Sequence, residues 1–266
     1  MKLLIGTAEV ALLAYLTVAA VLYFLQDRLL FLPRPLDKEV KRLLSPHEIA
    51  VQSGDVRLAG WFVKGEITEE RPLIFYFGGN AEEVSGNLFS IGRIRTSSFL
   101  FMNYRGYGES EGSPTQDALY ADAVTVYDEI VRKTKVPPQR IVLMGRSLGS
   151  GVAVYLASKR PVGGLILITA YDTLVNVAES HYPIFPVKWL MRHPFDSLRL
   201  APNIKAPVMN IMAGNDSIIP NRFSRNLMKH WGGKSESVLI QGASHNDISQ
   251  YDRYWEAINR FLASRK

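Results

Sequence analysis

The first place where this chain offers chemistry is Gly145-Arg146-Ser147-Leu148-Gly149, a serine with a glycine two residues away on either side. A serine hydroxyl is a weak nucleophile until a base takes its proton and a third group orients that base. Gly and Ser frequencies alone yield the bare G-x-S-x-G pattern on the order of 0.1 times in a chain of this length. Its surroundings make it more specific. Ile141 to Met144 is a short β-branched, apolar run of the kind that forms a buried parallel strand, and SLGSGVAVYLAS from Ser147 reads as a small-residue helix. A strand-turn-helix this tight needs small residues on both sides of the serine, or side chains collide where strand and helix cross. The hydroxyl is then presented at the carboxyl end of the strand, beside helix N-H groups that favour negative charge.

The base is sought among His47, His181, His193, His230 and His245. His245 stands out, because it follows the apolar run Ser237 to Ile240 in the short polar loop Gly242 to Asp247. His230 reads as a charge-compensating helix end, and His181 and His193 as members of an aromatic segment. For the acid, Asp216 lies in the loop just after the run Pro207 to Met212. Asp172 is a rival, and Asp196 reads as a helix N-cap. The expected catalytic set is therefore Ser147, Asp216 and His245. An acyl transfer also develops an oxyanion that calls for two backbone donors. Leu148 N-H is the first candidate, and Asn80 N-H, in the loop Gly78-Gly79-Asn80-Ala81, is the second. In the loop Asn103 to Ser110, Arg105 is expected to brace the turn by hydrogen bonds.

These loops need a frame. His47 to Ser53 and Val56 to Val63 read as a hairpin turning at Gly54-Asp55, and Leu73 to Phe77 as a buried strand. A helix is expected from Glu82-Glu83 to about Ile94, and then a strand over Ser98 to Asn103. Thr115 to Thr134 reads as a helix with Asp122, Asp128 and Glu129 on its wet side. A strand at Gly164 to Thr169, a helix from Pro220 to Trp231 and a helix from about Ile248 to Ala263 complete the alternation. Strands alternating with helices predict an α/β fold with a mainly parallel sheet, its loops converging at the strands' carboxyl ends.

Composition adds limits. The 266 residues are 47% hydrophobic, enough for one large α/β domain with an appendage. No cysteine is present, which excludes disulfides, Cys-ligated zinc and a cysteine nucleophile. The net charge of +6 is scattered, with no run of five basic residues, so no nucleic-acid partner is expected. An anionic membrane surface suits the mild positive balance better. Residues 3 to 25 carry one charge, Glu9, in a stretch about 35 Å long if helical. It is read as an uncleaved single-pass anchor over residues 1–26, with a cleavable signal peptide as the rival. The charges on its two sides are nearly balanced and leave the membrane side of the domain open. Residues 27–45 read as a juxtamembrane neck, and 46–266 as the catalytic domain.

Assembled, the loops resemble those of the α/β-hydrolases, and specifically a membrane-tethered branch that looks like monoacylglycerol lipases, lysophospholipases and protein depalmitoylases. NYRGYGES and GASHNDI carry the match, which covers roughly residues 46 to 264. The resemblance implies an α/β-hydrolase fold with Ser147 as nucleophile, Asp216 as acid, His245 as base, and Asn80 with Leu148 at the oxyanion. One departure is that Gly78-Gly79-Asn80 stands where the family usually has His-Gly-Asn. The insertion at about 171–200, rich in Tyr, Pro, Phe and Trp, occupies the position of a cap over the serine, and Trp189 to Met191 could dip into the bilayer. The resulting expectation is a membrane-anchored serine hydrolase acting on carboxylic esters or thioesters, with a lipid or acylated small-molecule substrate. Its other expected partner is the bilayer, with no obligate protein partner. The alternatives are a prolyl-oligopeptidase-type peptidase, which usually carries a propeller, and a catalytically silent membrane-tethered binding module. No metal or organic cofactor is expected, since the histidines lack ligand spacing.

Overall fold

In the computed structural model of this chain, residues 2–65, 71–94 and 98–264 are described, with side chains of the first helix from Thr7 onward. That helix, α1 (Lys2–Leu30), passes the predicted anchor boundary and ends only just before Phe31, which is buried. Part of the expected neck is thus helical. A second short helix, α2 (Lys38–Leu44), starts where the Asp37 carboxylate accepts the N-H groups of Glu39 and Val40.

A hairpin follows, β1 (Glu48–Ser53) and β2 (Val56–Val63), turning at Gly54 with φ of 62°. Then come β3 (Leu73–Phe77), β4 (Ser98–Met102), α3 (Gln116–Thr134), β5 (Ile141–Arg146) and α4 (Leu148–Lys159). β6 (Gly164–Ile168) leads into three short helices, α5 (Leu174–His181), α6 (Val187–Leu190) and α7 (Ser197–Leu200). β7 (Val208–Ala213), α8 (Asn221–Lys229), β8 (Ser235–Ile240) and α9 (Asp252–Ala263) close the chain. The eight strands form one sheet in the order β1-β2-β4-β3-β5-β6-β7-β8. β2 pairs antiparallel with both β1 and β4, and the rest of the sheet is parallel.

β3, β4, β6 and β7 are buried at every position, which is why they read as unbroken apolar runs. Their alternate side chains divide between two cores. Phe75, Leu143 and Leu165 meet Leu119 and Val126 of α3 and Val152 of α4 on one face. Ile74, Val142 and Ile166 share the other core with Val84, Leu88 and the α9 residues Trp255 and Phe261.

Two expectations are corrected. The segment after Glu83 is a 3-10 helix, Val84–Arg93, in place of an α-helix. Gly86 and Gly92 give it weak helical preference, and its start is fixed from outside by the Asn103 side chain, which accepts the Val84 N-H. Asp122 is not on a wet face. It is 5% exposed and accepts bonds from Ser53 Oγ at 2.6 Å and from both Arg105 Nε and Nη2 at 2.7 and 2.6 Å. Arg105 therefore ties its loop to α3, and the buried charge is balanced by a bidentate partner.

Candidate active site

Ser147 sits between β5 and α4 with φ of 51° and ψ of −119°. A non-glycine residue held there carries on the order of 1–3 kcal/mol of backbone strain and persists only when its surroundings over-determine it. They do so here. The Ser147 N-H donates to Ile168 O on β6 at 2.9 Å, and the Ser147 carbonyl accepts from Ser150 N-H at 2.9 Å and Ser150 Oγ at 2.7 Å. The flanking glycines are required by space. A Cβ on Gly149 would lie 2.2 Å from Phe77 O, and one on Gly145 would lie 2.4 Å from Gly149 O.

Asp216 and His245 stand on loops that leave β7 and β8, the strands on that side of the sheet, so the topology delivers all three residues to one end. His245 Nε2 is 3.0 Å from Ser147 Oγ, and its Nδ1 is 2.8 Å from Asp216 Oδ2. Asp216 Oδ1 accepts the N-H groups of Ile218 and Ile219 at 3.0 and 2.8 Å, so one oxygen fixes the carboxylate while the other faces the ring. The Asp216 and His245 side chains are 1% and 7% exposed. A carboxylate in this position orients the imidazole with Nδ1 protonated, leaving Nε2 to accept the hydroxyl proton.

The rival residues lie elsewhere. Asp172 is bonded to Thr173 N-H and to the amides of Asn176 and Asn226. Asp196 is the N-cap of α7. His193 pairs with Asp27, His181 contacts Ile218 O, and His230 caps α8. Among the described residues, no group of three or more His, Asp or Glu side chains is placed to hold a metal ion.

Asn80 and Leu148 line the same cleft as Ser147 and His245, an open space of about 1130 Å³ whose other walls include Leu30, Leu32, Leu174 and Ile219. The Asn80 peptide is held from its carbonyl side, which accepts Tyr107 Oη at 2.6 Å and Leu32 N-H at 3.0 Å. In the loop Asn103 to Ser110, Arg105 has the bracing role expected of it, through its bonds to Asp122. The residues that reach the serine side of the sheet are Tyr107 and Tyr104, whose hydroxyl donates to Gly78 O at 2.9 Å. The tyrosines on either side of Arg105-Gly106 were the available signal.

Glu82 was missed altogether as a site residue. Its carboxylate accepts Gly79 N-H at 2.8 Å, Tyr76 Oη at 2.7 Å, Asn87 Nδ2 at 2.7 Å and Arg146 Nη1 at 3.1 Å. Arg146, next to the serine, also donates through Nη2 to His245 O at 3.3 Å and Asn246 Oδ1 at 3.2 Å. One ion pair thus links the loop of Asn80, the serine turn and the histidine loop. Burial is the largest influence on the Arg146 pKa and would lower it, but the charge and hydrogen bond of Glu82, together with the phenols of Tyr76 and Tyr254, leave it raised. Burial, reinforced by the same carboxylate, pushes the Tyr76 phenol well above its ordinary value, so it stays a donor. In place of the family's histidine, Gly78 packs against this cluster, and a Cβ there would lie 2.9 Å from Val84 Cγ1.

Comparison with known proteins gives three kinds of likeness. A family profile described as alpha/beta hydrolase fold matches residues 98–195. An uncharacterised protein of Mycobacterium tuberculosis is 32% identical over 248 residues, covering 89% of this chain and 87% of its own. The Arabidopsis thaliana alpha/beta hydrolase domain-containing protein WAV2 is 28% identical over 242 residues, covering 81% of this chain and 78% of its own. Among solved structures, an esterase from Pyrococcus furiosus superimposes with a TM-score of 0.69 at 17% identity, over 87% of this chain and 98% of that one.

Proposed function

This chain belongs to the α/β-hydrolase superfamily, and we propose that within it the protein is a membrane-anchored serine hydrolase that cleaves carboxylic esters or thioesters of lipid acyl chains. The observation that carries this reading is the hydrogen-bonded line from Ser147 Oγ through His245 to Asp216, with the serine on a strained turn. The esterase among its structural neighbours agrees with a hydrolytic use of the fold.

In this mechanism, Ser147 Oγ attacks the acyl carbonyl carbon as its proton passes to His245 Nε2. Asp216 stabilises the imidazolium through Nδ1. The carbonyl oxygen becomes an oxyanion that accepts the N-H groups of Leu148 and Asn80. Collapse breaks the bond to the alcohol or thiol, which leaves with the proton from His245. The same imidazole then takes a proton from water, which attacks the acyl-enzyme and releases the carboxylic acid. The Glu82–Arg146 pair positions the two loops and takes no proton.

The anchor reading is supported by Thr7–Leu30, a segment long and apolar enough to cross a membrane by length and composition, whose outer side chains such as Val10, Leu13 and Phe24 are exposed. The domain division follows, with residues 1–26 as anchor, 27–45 as neck and 46–266 as catalytic unit. The apolar walls of the serine cleft favour an acyl substituent. The test is a series of p-nitrophenyl esters from acetate to palmitate with detergent-solubilised protein. Turnover that rises in kcat/KM with chain length and vanishes in Ser147→Ala is expected. Turnover that survives in Ser147→Ala overturns the reading.

A further inference from the structure

α1 lies along the cap as well as leading to it. Tyr15 stacks on Phe185 with ring centroids 5.2 Å apart, and its hydroxyl donates to Ile184 O at 2.9 Å. Further along, Gln26 donates to Leu190 O at 3.1 Å and accepts Arg192 N-H at 2.7 Å. Asp27 pairs with Arg192 and His193 at 2.8 and 2.9 Å. The contact from Tyr15 to Asp27 takes up about 18 Å of helix. The segment long and apolar enough to cross a membrane, Thr7–Leu30, contains the whole of that contact. A membrane crossed by Thr7–Leu30 therefore takes the neighbouring edge of the cap into its apolar layer. That edge suits it, because Trp189 is 84% exposed, Ile184 71% and Tyr182 51%.

Between α1 and the cap lies a second cleft of about 800 Å³, lined by Leu22, Leu29, Leu30, Ala178, Phe185 and Leu190 among others. Leu30 also lines the cleft at Ser147, and Val177 there adjoins Ala178 here, so the two spaces are neighbours across Leu30 and α5. The amide of Gln26, a polar group of this cleft, is already bonded on both its nitrogen and its oxygen. What remains for an occupant is mostly apolar wall, with the hydroxyls of Tyr23 and Tyr182 as its other polar groups.

We propose that this second cleft is an acyl-chain site, open sideways to the bilayer, in which the anchor helix forms one wall and the cap the other. It rests on the acyl-hydrolase reading for its substrate. A chain leaving the ester carbonyl at Ser147 passes Leu30 and lies between α1 and α5, so the membrane supplies substrate without its tail crossing water.

The test uses the full-length Ser147→Ala protein in phosphatidylcholine vesicles with a diazirine-bearing palmitic acid, mapping adducts by mass spectrometry. Adducts on Ala178, Val187 or Leu190 that palmitate competes away and acetate does not are expected. Adducts confined to the outer face of α1, such as Val10, Leu13 and Phe24, overturn the proposal. In parallel, Ala178→Trp in the active protein should lower the palmitate-to-acetate ratio of kcat/KM at least tenfold, and an unchanged ratio overturns the proposal. A protein that cross-links at the cap wall but turns over no ester keeps the acyl site and removes the hydrolase reading. Ester turnover with no cap-wall adduct and an unchanged ratio does the reverse.

Discussion

Ser147, Asp216 and His245 stand on loops whose backbone is locked into the sheet, whereas α1 and the cap meet through a few side chains with apolar surface left open beside them. At the serine, the strained turn is held by bonds to β6 and within α4, and the carboxylate of Asp216 is fixed by two backbone N-H groups. At α1, one stacked ring pair and the bonds of Tyr15, Gln26 and Asp27 bridge about 18 Å of contact. On the proposed function the two regions divide the work. Reacting groups have to be held to a fraction of an ångström, while a surface proposed to receive acyl chains from lipid needs open apolar wall.

Breaking the rigid end should have the largest effect. His245→Ala should lower kcat by about 10⁴-fold or more with the fold retained, read by ester turnover and circular dichroism. Asp216→Asn should cost about 10⁴-fold in kcat by leaving the imidazole in the wrong tautomer, with little change in KM. If Asp196→Asn or Asp172→Asn were the damaging change, the acid would be misassigned.

Loosening the frame should have intermediate effects. Glu82→Gln leaves Arg146 without its anionic partner and should lower kcat by roughly 10- to 100-fold, with KM within about threefold, because it disturbs the loop that offers Asn80. A parallel loss of the folded signal in circular dichroism would instead point to a general loss of folding, which lowers apparent kcat without changing KM. Gly149→Ala should destabilise the protein by about 3 kcal/mol in denaturant unfolding, since its Cβ would meet the Phe77 carbonyl, which the sheet cannot move. The smallest effect on chemistry belongs at the open end. Trp189→Ser should keep kcat on a dissolved acetate ester within about twofold and lower turnover of a palmitate ester presented in vesicles several-fold. A large loss on the dissolved ester would show that the cap edge is coupled to the rigid site.

The same contrast explains what the sequence made legible. The strands are buried on both faces, so they appear as apolar runs, and a parallel sheet puts reactive residues in the loops just after them. Ser147, Asp216 and His245 could therefore be placed by position alone. Asp122 could not, because a carboxylate at a polar-looking helical position is buried only through Ser53 and Arg105, 69 and 17 residues away. Glu82 was hidden for a related reason. An acidic residue before a presumed helix reads as N-terminal charge, and its partners Tyr76, Gly79 and Arg146 converge only in the folded chain. The segment Val84–Arg93 misled because the acidic pair Glu82-Glu83 before it reads as the start of an α-helix, while its glycines and its tie to Asn103 favour the tighter winding. The lie of α1 along the cap depends on Tyr15 meeting Phe185 across 170 residues, for which a single sequence carries no local signal.

The most direct test of the central claim is covalent labelling with a fluorophosphonate, which reacts with a serine only when its base and oxyanion donors are in place. Full-length wild type and the variants Ser147→Ala and His245→Ala would be compared in the same detergent. Labelling of wild type at Ser147, with none in either variant, is the predicted result. A folded wild-type protein that takes no label, or one labelled at a different serine, would contradict the account.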